Sequence, residues 1–349
     1  MSSSPADRFR VQANACAELG SPLYASLLTS CADDIDAGGP VAAVLAGHEH
    51  DTGPSALALR LMGAVHRRVL QGDASALAAH YPSVGGDGDA HAAWLALRRV
   101  VAEQAAQLRP LLDSAPQTNE VGRATALVGG LLHLADRFGL PVRLHEIGTS
   151  AGLNLRADHF CYRDQNGVRL WGPPDSPVQL GDAWRGRLPP LQAPLRVVER
   201  HGTDLAPVDP TTADGEHRLL SYVWADMTAR IKRACAAIAV ARAVPATVAA
   251  LDAVSAVRRL ELRQGHATVL WHSVMWQYLD LADQRAVDRR LDELGAQASD
   301  SAPFAHLVLE PLRRRPGAEH EFLVVLRTWP GDRQILGTSA AHGVPTIWQ

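Results

Sequence analysis

Lysine is almost missing from this 349-residue chain: Lys232 stands alone, and the other basic side chains are arginines. Basic residues total 34 against 37 acidic ones, a formal net charge of −3. Such a balance sets up no global field for nucleic acid or an anionic membrane, so neither is expected as a partner. We read nothing functional into the arginine bias, which a GC-rich genome explains. Long apolar runs are also lacking. The longest, Ala124–Ala135, is too short for a bilayer and is followed at once by Asp136 and Arg137. Four scattered cysteines, Cys16, Cys31, Cys161 and Cys235, form no C-x-x-C pair, which argues against a disulfide framework or a zinc site. There is no H-E-x-x-H. His48-Glu49-His50 lies in a Gly/Asp-rich loop without a third ligand at diagnostic spacing, so no metal is expected. The opening MSSSPADRFR has no apolar h-region after a basic flank, and the expected location is cytoplasmic.

What is present is an ordinary globular balance, 47% hydrophobic and 20% charged, in a chain long enough for one large domain or two. Apolar spacing of three and four predicts helices over Arg8–Leu19, Pro22–Ala37, Ser55–Gln71, Ala90–Asp113 and Glu120–Phe138. The pattern changes at Leu140–Pro141. Short apolar runs follow at Val142–Ile147, Leu195–Arg200, Thr247–Leu251, Thr268–His272, Phe304–Leu309 and Phe322–Thr328, with helical stretches at Thr228–Ala243 and Leu281–Leu294. That alternation predicts an α/β fold: a Rossmann-like, mostly parallel sheet whose last two strands form an antiparallel edge, preceded by an all-α region. The expected division is a helical cap over 1–139 and a Rossmann-like domain over 140–349. An irregular insertion rich in Pro, Gly and Trp occupies about 160–194.

The stretch VRLHEIGTSAGLN, Val142 to Asn154, reads as a strand, a Gly-rich turn and the start of a helix. A dinucleotide fold wants G-x-G-x-x-G with an acid about 20 residues on, and that match is poor. A serine hydrolase is the second claimant. Gly148 to Gly152 satisfies G-x-S-x-G around Ser150, and Asp252 or Asp300 with His342 would complete a triad. The N-terminal third, however, offers no strands to carry an oxyanion loop. The third claimant is an S-adenosylmethionine-binding loop, E/D-x-G-x-G-x-G, met by Glu146, Gly148, Ser150 and Gly152 with serine at the middle glycine. Later strands end near Glu199 and Asp204, and at Asp252, where carboxylates are expected to hold ribose and adenine. The fourth strand runs into Ser273-Val274-Met275-Trp276-Gln277-Tyr278, polar and aromatic groups suited to a transfer site. Trp276 and Tyr278 there can also face a sulfonium.

Together QTNEVGRA, EIGTSAGLNL, YVWADM, WHSVMWQYL and the closing AHGVP resemble a bacterial family known as a domain of unknown function, from about Arg8 to the C-terminus. The resemblance implies a class I methyltransferase-type core and supplies no reaction or substrate. Related chains tend to carry Cys-Asp and Pro-Asp where this one has Thr203-Asp204 and Ala225-Asp226, and both aspartates remain.

The expected reaction is transfer of a methyl, or another sulfonium-derived group, to a small-molecule acceptor. Glu146, Gly148, Thr149, Ser150, Gly152, Asn154, Asp204, Asp252 and Ser273 are expected to hold S-adenosylmethionine. His272 and Tyr278 are the candidate catalytic residues, His272 as a general base. Gln117, Asn119, Glu120, Arg123, Trp276 and Tyr81 are expected against the acceptor. Each has a plainer reading. Thr118 or Asn119 can simply cap a helix, Tyr81-Pro82-Ser83 can be a structured turn, and His272 can be a buried structural histidine. A hydrolase using Ser150 and a non-catalytic nucleotide-binding protein are the alternatives.

Overall fold

Proline opens three of the N-terminal helices, Pro5–Glu18, Pro22–Asp36 and Pro40–Val44. Its fixed φ suits the first helical position, where an N–H would have no partner in any case. Ser4 and Asp7 close a capping box on the first helix. These elements belong to a computed structural model that describes residues 4–48, 50–51 and 56–349. Glu49 of the His48–His50 cluster and the start of the third expected helix, Ser55, lie outside the described residues. Contacts divide the chain into one unit of Met1–Thr118 with Thr212–Cys235, and a second of Asn119–Thr211 with Ala236–Gln349. Residues 119–139, grouped with the helical region in the sequence, therefore cluster with the sheet, and 212–235 cluster with the N-terminal helices.

Among its described residues the first unit is helical and holds no strand. Phe9, Leu27, Leu28, Leu61, Met62 and Leu77 are fully buried, each stabilising the fold by roughly 1.5–3 kcal/mol. Trp224 and Ala225, from the later segment, complete that core. The long helix expected over Ala90–Asp113 breaks after Glu103. Gln104 leaves helical geometry while its side chain donates to Asp73 O and accepts from Arg68, and Pro110 follows within the next turn.

The second unit is built on twelve strands: β1 Val142–Ile147, β2 Cys161–Arg163, β3 Arg169–Trp171, β4 Gln179–Leu180, β5 Trp184–Gly186, β6 Val197–Asp204, β7 Thr247–Ala250, β8 Ala267–Ser273, β9 Phe304–Arg313, β10 His320–Trp329, β11 Arg333–Ser339 and β12 Thr346–Trp348. Nine of them make one sheet in the order β5-β12-β11-β10-β9-β8-β1-β6-β7, and β3-β2-β4 form a small sheet inside the insertion. From β7 to β9 the pairing is parallel; β9, β10, β11 and β12 pair antiparallel. The α/β class and the antiparallel C-terminal side stand as expected. The β9–β10 pair is not the edge, however, because β11, β12 and β5 extend beyond it.

Both faces of the sheet are covered at β8, which is why that strand is buried along its first six residues. The helix Ala124–Phe138 lies on one face. Gly129 and Gly130 let it close on Trp348 and Leu307; a Cβ at Gly129 would fall 1.9 Å from the Trp348 ring. On the other face Val257, Val287, Leu291 and Leu294, from helices Ala253–Arg258 and Leu281–Gln297, pack with Ile147, Leu270 and Phe304.

Candidate functional site

In an open α/β sheet the crevice for a ligand lies beyond the carboxyl ends of the strands, where the chain reverses its direction of travel across the sheet. Here the chain runs from β1 outward to β6 and β7, then returns to the other side of β1 for β8 and β9. The reversal point is the gap between β1 and β8. The EIGTSAG loop leaves β1 there, and the Ser273–Tyr278 segment leaves β8 there.

Glu146 is 4% exposed and accepts from Thr149 Oγ1 at 2.6 Å and Trp271 Nε1 at 3.1 Å. Burial pushes its pKa up to about 7, and the two hydrogen bonds oppose that rise. After it the backbone turns left-handed three times, at Gly148 (φ +67), Ser150 (φ +54) and Gly152 (φ +67). Glycine is needed at 148 on two counts: the positive φ, and a space in which a Cβ would sit 3.0 Å from Met275. Thr149 is buried over Gly202 of β6, and its N–H donates to Thr203 O. Asp204 clasps the loop, with one oxygen accepting from Ser150 N at 2.8 Å and the other from Ala206 N at 3.0 Å.

The segment after Gly152 departs from expectation. Leu153–His159 is a 3-10 stretch broken at Arg156, not an α-helix. The Leu153 N–H is taken by Asn119 Oδ1 at 2.8 Å, and Arg156 folds back onto Gly152 O at 2.6 Å. The loop therefore offers no helix N-terminus to a phosphate, which removes the physical basis of the dinucleotide reading.

The polar cluster before the helix Ala124–Phe138 packs against the same loop. Asn154 Nδ2 donates to Glu120 O, and Glu120 Oε1 accepts from Gly122 N. Arg123 reaches Ser273 O at 3.4 Å and Ala341 O at 3.3 Å. Gly343 of the closing AHGVP packs on the Gly122–Arg123 backbone so closely that a Cβ would meet Arg123 N at 2.2 Å. Four of the five stretches singled out in the sequence thus meet at one end of the sheet. Two buried polar atoms near the loop, Asn154 Oδ1 and Thr203 Oγ1, have no hydrogen-bond partner among the described residues.

On the β8 side Val274 holds φ +52, an outlier for a β-branched residue. Glu310 of β9 holds it there by accepting from Met275 N at 3.0 Å and Trp276 N at 3.3 Å. The same oxygen lies 2.8 Å from His272 Nδ1, and His272 Nε2 lies 3.0 Å from His306 Nε2. His272 is 2% exposed and stacked on Trp276. With both nitrogens engaged it positions the segment and has no free lone pair for a substrate proton. Burial, with His272 beside it, holds His306 neutral, its pKa well below the ordinary value. Tyr278 is 61% exposed on the 3-10 turn Trp276–Tyr278. Asp252 is exposed and caps the helix Ala253–Arg258 through Ser255 N at 2.8 Å; hydrogen bonds from Ser255 lower its pKa.

Two expected acceptor residues belong to the first unit. Tyr81 is fully buried in the core of the first unit, packed on His66 and Tyr24, and Gln117 is buried in that unit as well. Glu310 and His306 were not singled out in the sequence, and Met275 and Trp271 were named only as parts of a longer stretch. A carboxylate inside the apolar run HLVLEPL was the available signal for Glu310. Among the described residues no three His, Cys, Asp or Glu side chains are arranged to hold a metal, and no helix is long and apolar enough to cross a membrane.

Fold and site together define a Rossmann-like α/β protein with a candidate ligand crevice at the β1–β8 reversal point. The chain belongs to the bacterial family described as "Uncharacterized protein conserved in bacteria (DUF2332)", which matches residues 6–348. No curated protein and no solved structure matches it.

Proposed function

We propose that the second unit binds S-adenosylmethionine beyond the carboxyl ends of β1, β6, β7 and β8, and that it transfers a methyl or another sulfonium-derived group to a small-molecule acceptor. The observation that carries this is strained backbone on both sides of the β1–β8 crevice. Ser150 and Val274 occupy the left-handed region, a strain of order 1–3 kcal/mol each, which collects at ligand clamps. A sulfonium nucleoside carries no phosphate, so it needs no helix N-terminus, consistent with the 3-10 stretch after Gly152.

The residues fit such a ligand. Gly148 gives the loop its left-handed turn with Met275 packed against it, and Glu146 lies two residues before that turn as a counter-charge for an ammonium. Asp204 and Asp252, though engaged by backbone N–H groups, keep lone pairs for ribose hydroxyls and an adenine amine, since a carboxylate accepts about four hydrogen bonds. Ser273, with Arg123 on its carbonyl, borders the crevice, and Trp276 offers an aromatic face to a cation. Asn119 and Glu120 hold the loop from the other side. When bound, the cofactor supplies an electrophilic carbon on sulfur. The protein aligns acceptor, carbon and sulfur and excludes water, with little need for acid–base help.

Calorimetry on the full chain with S-adenosylmethionine, S-adenosylhomocysteine and NAD tests this. Both sulfur nucleotides are expected to bind and NAD is not. Asp252→Ala should weaken them by roughly tenfold or more, the loss of a hydrogen bond to a charged group. Absence of binding by either sulfur nucleotide refutes the proposal. Ser150 at φ +54 is also what a hydrolase elbow would show. The broken 3-10 stretch in place of a helix, and burial of Ser150 to 5% exposure, count against that reading.

A further inference from the structure

The first unit carries a nucleophile-and-base pair that the sulfonium reading does not use. His66 lies on the helix Leu57–Leu70 and is fully buried. Its Nδ1 is 3.2 Å from Ser221 O, with Tyr24 Oη farther off at 3.5 Å. A carbonyl oxygen has no proton to give, so Nδ1 carries the ring hydrogen and Nε2 presents a lone pair. The group on that lone pair is Ser83 Oγ, at 2.8 Å, and the serine hydroxyl must therefore donate to it. Nucleophile, base and orienting acceptor in series form the arrangement that activates serine in acyl transfer. Burial pushes the pKa of His66 down to about 4, against the pull of the Ser221 and Val223 carbonyls. The ring is thus neutral at physiological pH.

Ser83 is partly exposed, with its base behind it in the core. The turn that presents it is over-determined. Val84 N and Gly86 N both donate to Tyr81 O, Asp87 N donates to Ala79 O, and His80 pairs with Asp87 at 2.9 Å. Gly85 takes φ +90, and a Cβ at Gly86 would lie 2.3 Å from Tyr81 N. Tyr81 packs edge-on against the His66 ring at 5.4 Å and fixes its plane.

We propose that Ser83 is a nucleophile activated by His66, a second chemical centre that takes an acyl group from an activated ester. Ser83 Oγ bonds to the ester carbonyl carbon and its proton passes to His66 Nε2. The bond from that carbon to the leaving oxygen breaks, and the proton goes to the departing alkoxide. Water then repeats the sequence on the acyl-serine and frees the acid.

A fluorophosphonate probe reports the first half of this chemistry, because an Oγ–P bond forms, P–F breaks and fluoride leaves. The native full chain is to be labelled, digested and mapped by mass spectrometry, with the same chain in urea as reference. Expected is one label on the peptide holding Ser83, present in the native chain, absent in urea and absent in Ser83→Ala. Labelling should slow by at least about a hundredfold in His66→Gln, the lower end of what a general base contributes. No native label, a label only on another serine such as Ser150, or equal labelling of Ser83 in urea overturns the proposal. The native-against-urea comparison on wild type decides even where His66→Gln does not fold. This test and the calorimetry above fail independently.

Discussion

Glu146→Gln separates the electrostatics of the loop from its shape. In the folded chain the carboxyl of Glu146 is pushed up to about 7, and in the unfolded chain it sits near the ordinary glutamate value of 4.5. Below 4.5 both states carry the proton, and stability does not depend on this group. Between 4.5 and 7 the unfolded chain has released its proton while the folded chain retains it, so stability falls by 1.36 kcal/mol per pH unit. Above 7 both states are ionised. The full loss between pH 4.5 and 7 is about 3 kcal/mol. Glutamine cannot ionise, its amide oxygen can still accept from Trp271 Nε1 while its NH2 donates to Thr149 Oγ1, and its stability carries no such slope. Urea unfolding of both proteins at pH 5, 6, 7 and 8, read as the difference between variant and wild type, cancels every other titrating group. The difference should move in favour of the variant by about 3 kcal/mol and level off above pH 7. A flat difference from pH 5 to 8 would refute the reasoning, because it would mean that the buried carboxyl ionises as if exposed. An ammonium ligand needs the ionised form, so affinity for S-adenosylmethionine should rise through the same interval.

Glu310→Ala strips one acceptor from Met275 N, Trp276 N and His272. Each buried group left without a partner costs about 1–3 kcal/mol. A loss of at least about 3 kcal/mol is expected by chemical denaturation, with Glu310→Gln recovering part of it. Equal stability of Ala and Gln variants would deny Glu310 its place as the clamp. Gly129→Val forces a side chain into the Trp348 ring, and overpacking of that kind costs typically 1–3 kcal/mol or more. A thermal midpoint unchanged within a degree would show that the helix Ala124–Phe138 is free to retreat from the sheet.

β8 was legible because a strand covered on both faces is mostly apolar, whereas β1 shows alternating burial and β7 is a short, largely exposed run set off by its neighbours. β1, β7 and β8 were expected to within one residue at either end. β6 extends four residues further than its apolar run, to include Asp204 itself. β11 and β12 escaped because RQILGTS and TIW are short and partly polar, and they are strands only through their partners. The convergence of NEVGR, EIGTSAGLN, WHSVMW and AHGVP could be sensed as a set of unusual stretches. Local pattern does not encode which of them touch. The broken helix after Gly152 was illegible for the same reason: it is decided by Asn119, 34 residues away along the chain, which takes the N–H of Leu153. Tyr81 misled because an aromatic in a Gly/Pro-rich turn looks exposed, whereas its ring seals the core over His66.

The first unit is assembled from two stretches of chain, with Trp224 stacked on Tyr24 and Asp226 capping the helix Pro22–Asp36 through Ser21 Oγ and Leu23 N. Its core is therefore incomplete until the ribosome has passed residue 235, long after β1 and β6 have been made. A nascent chain or a fragment ending at Thr118 carries Tyr24 without its stacking partner and a helix start without its acceptor. The N-terminal helices therefore reach their finished core only with chain made after β1 and β6.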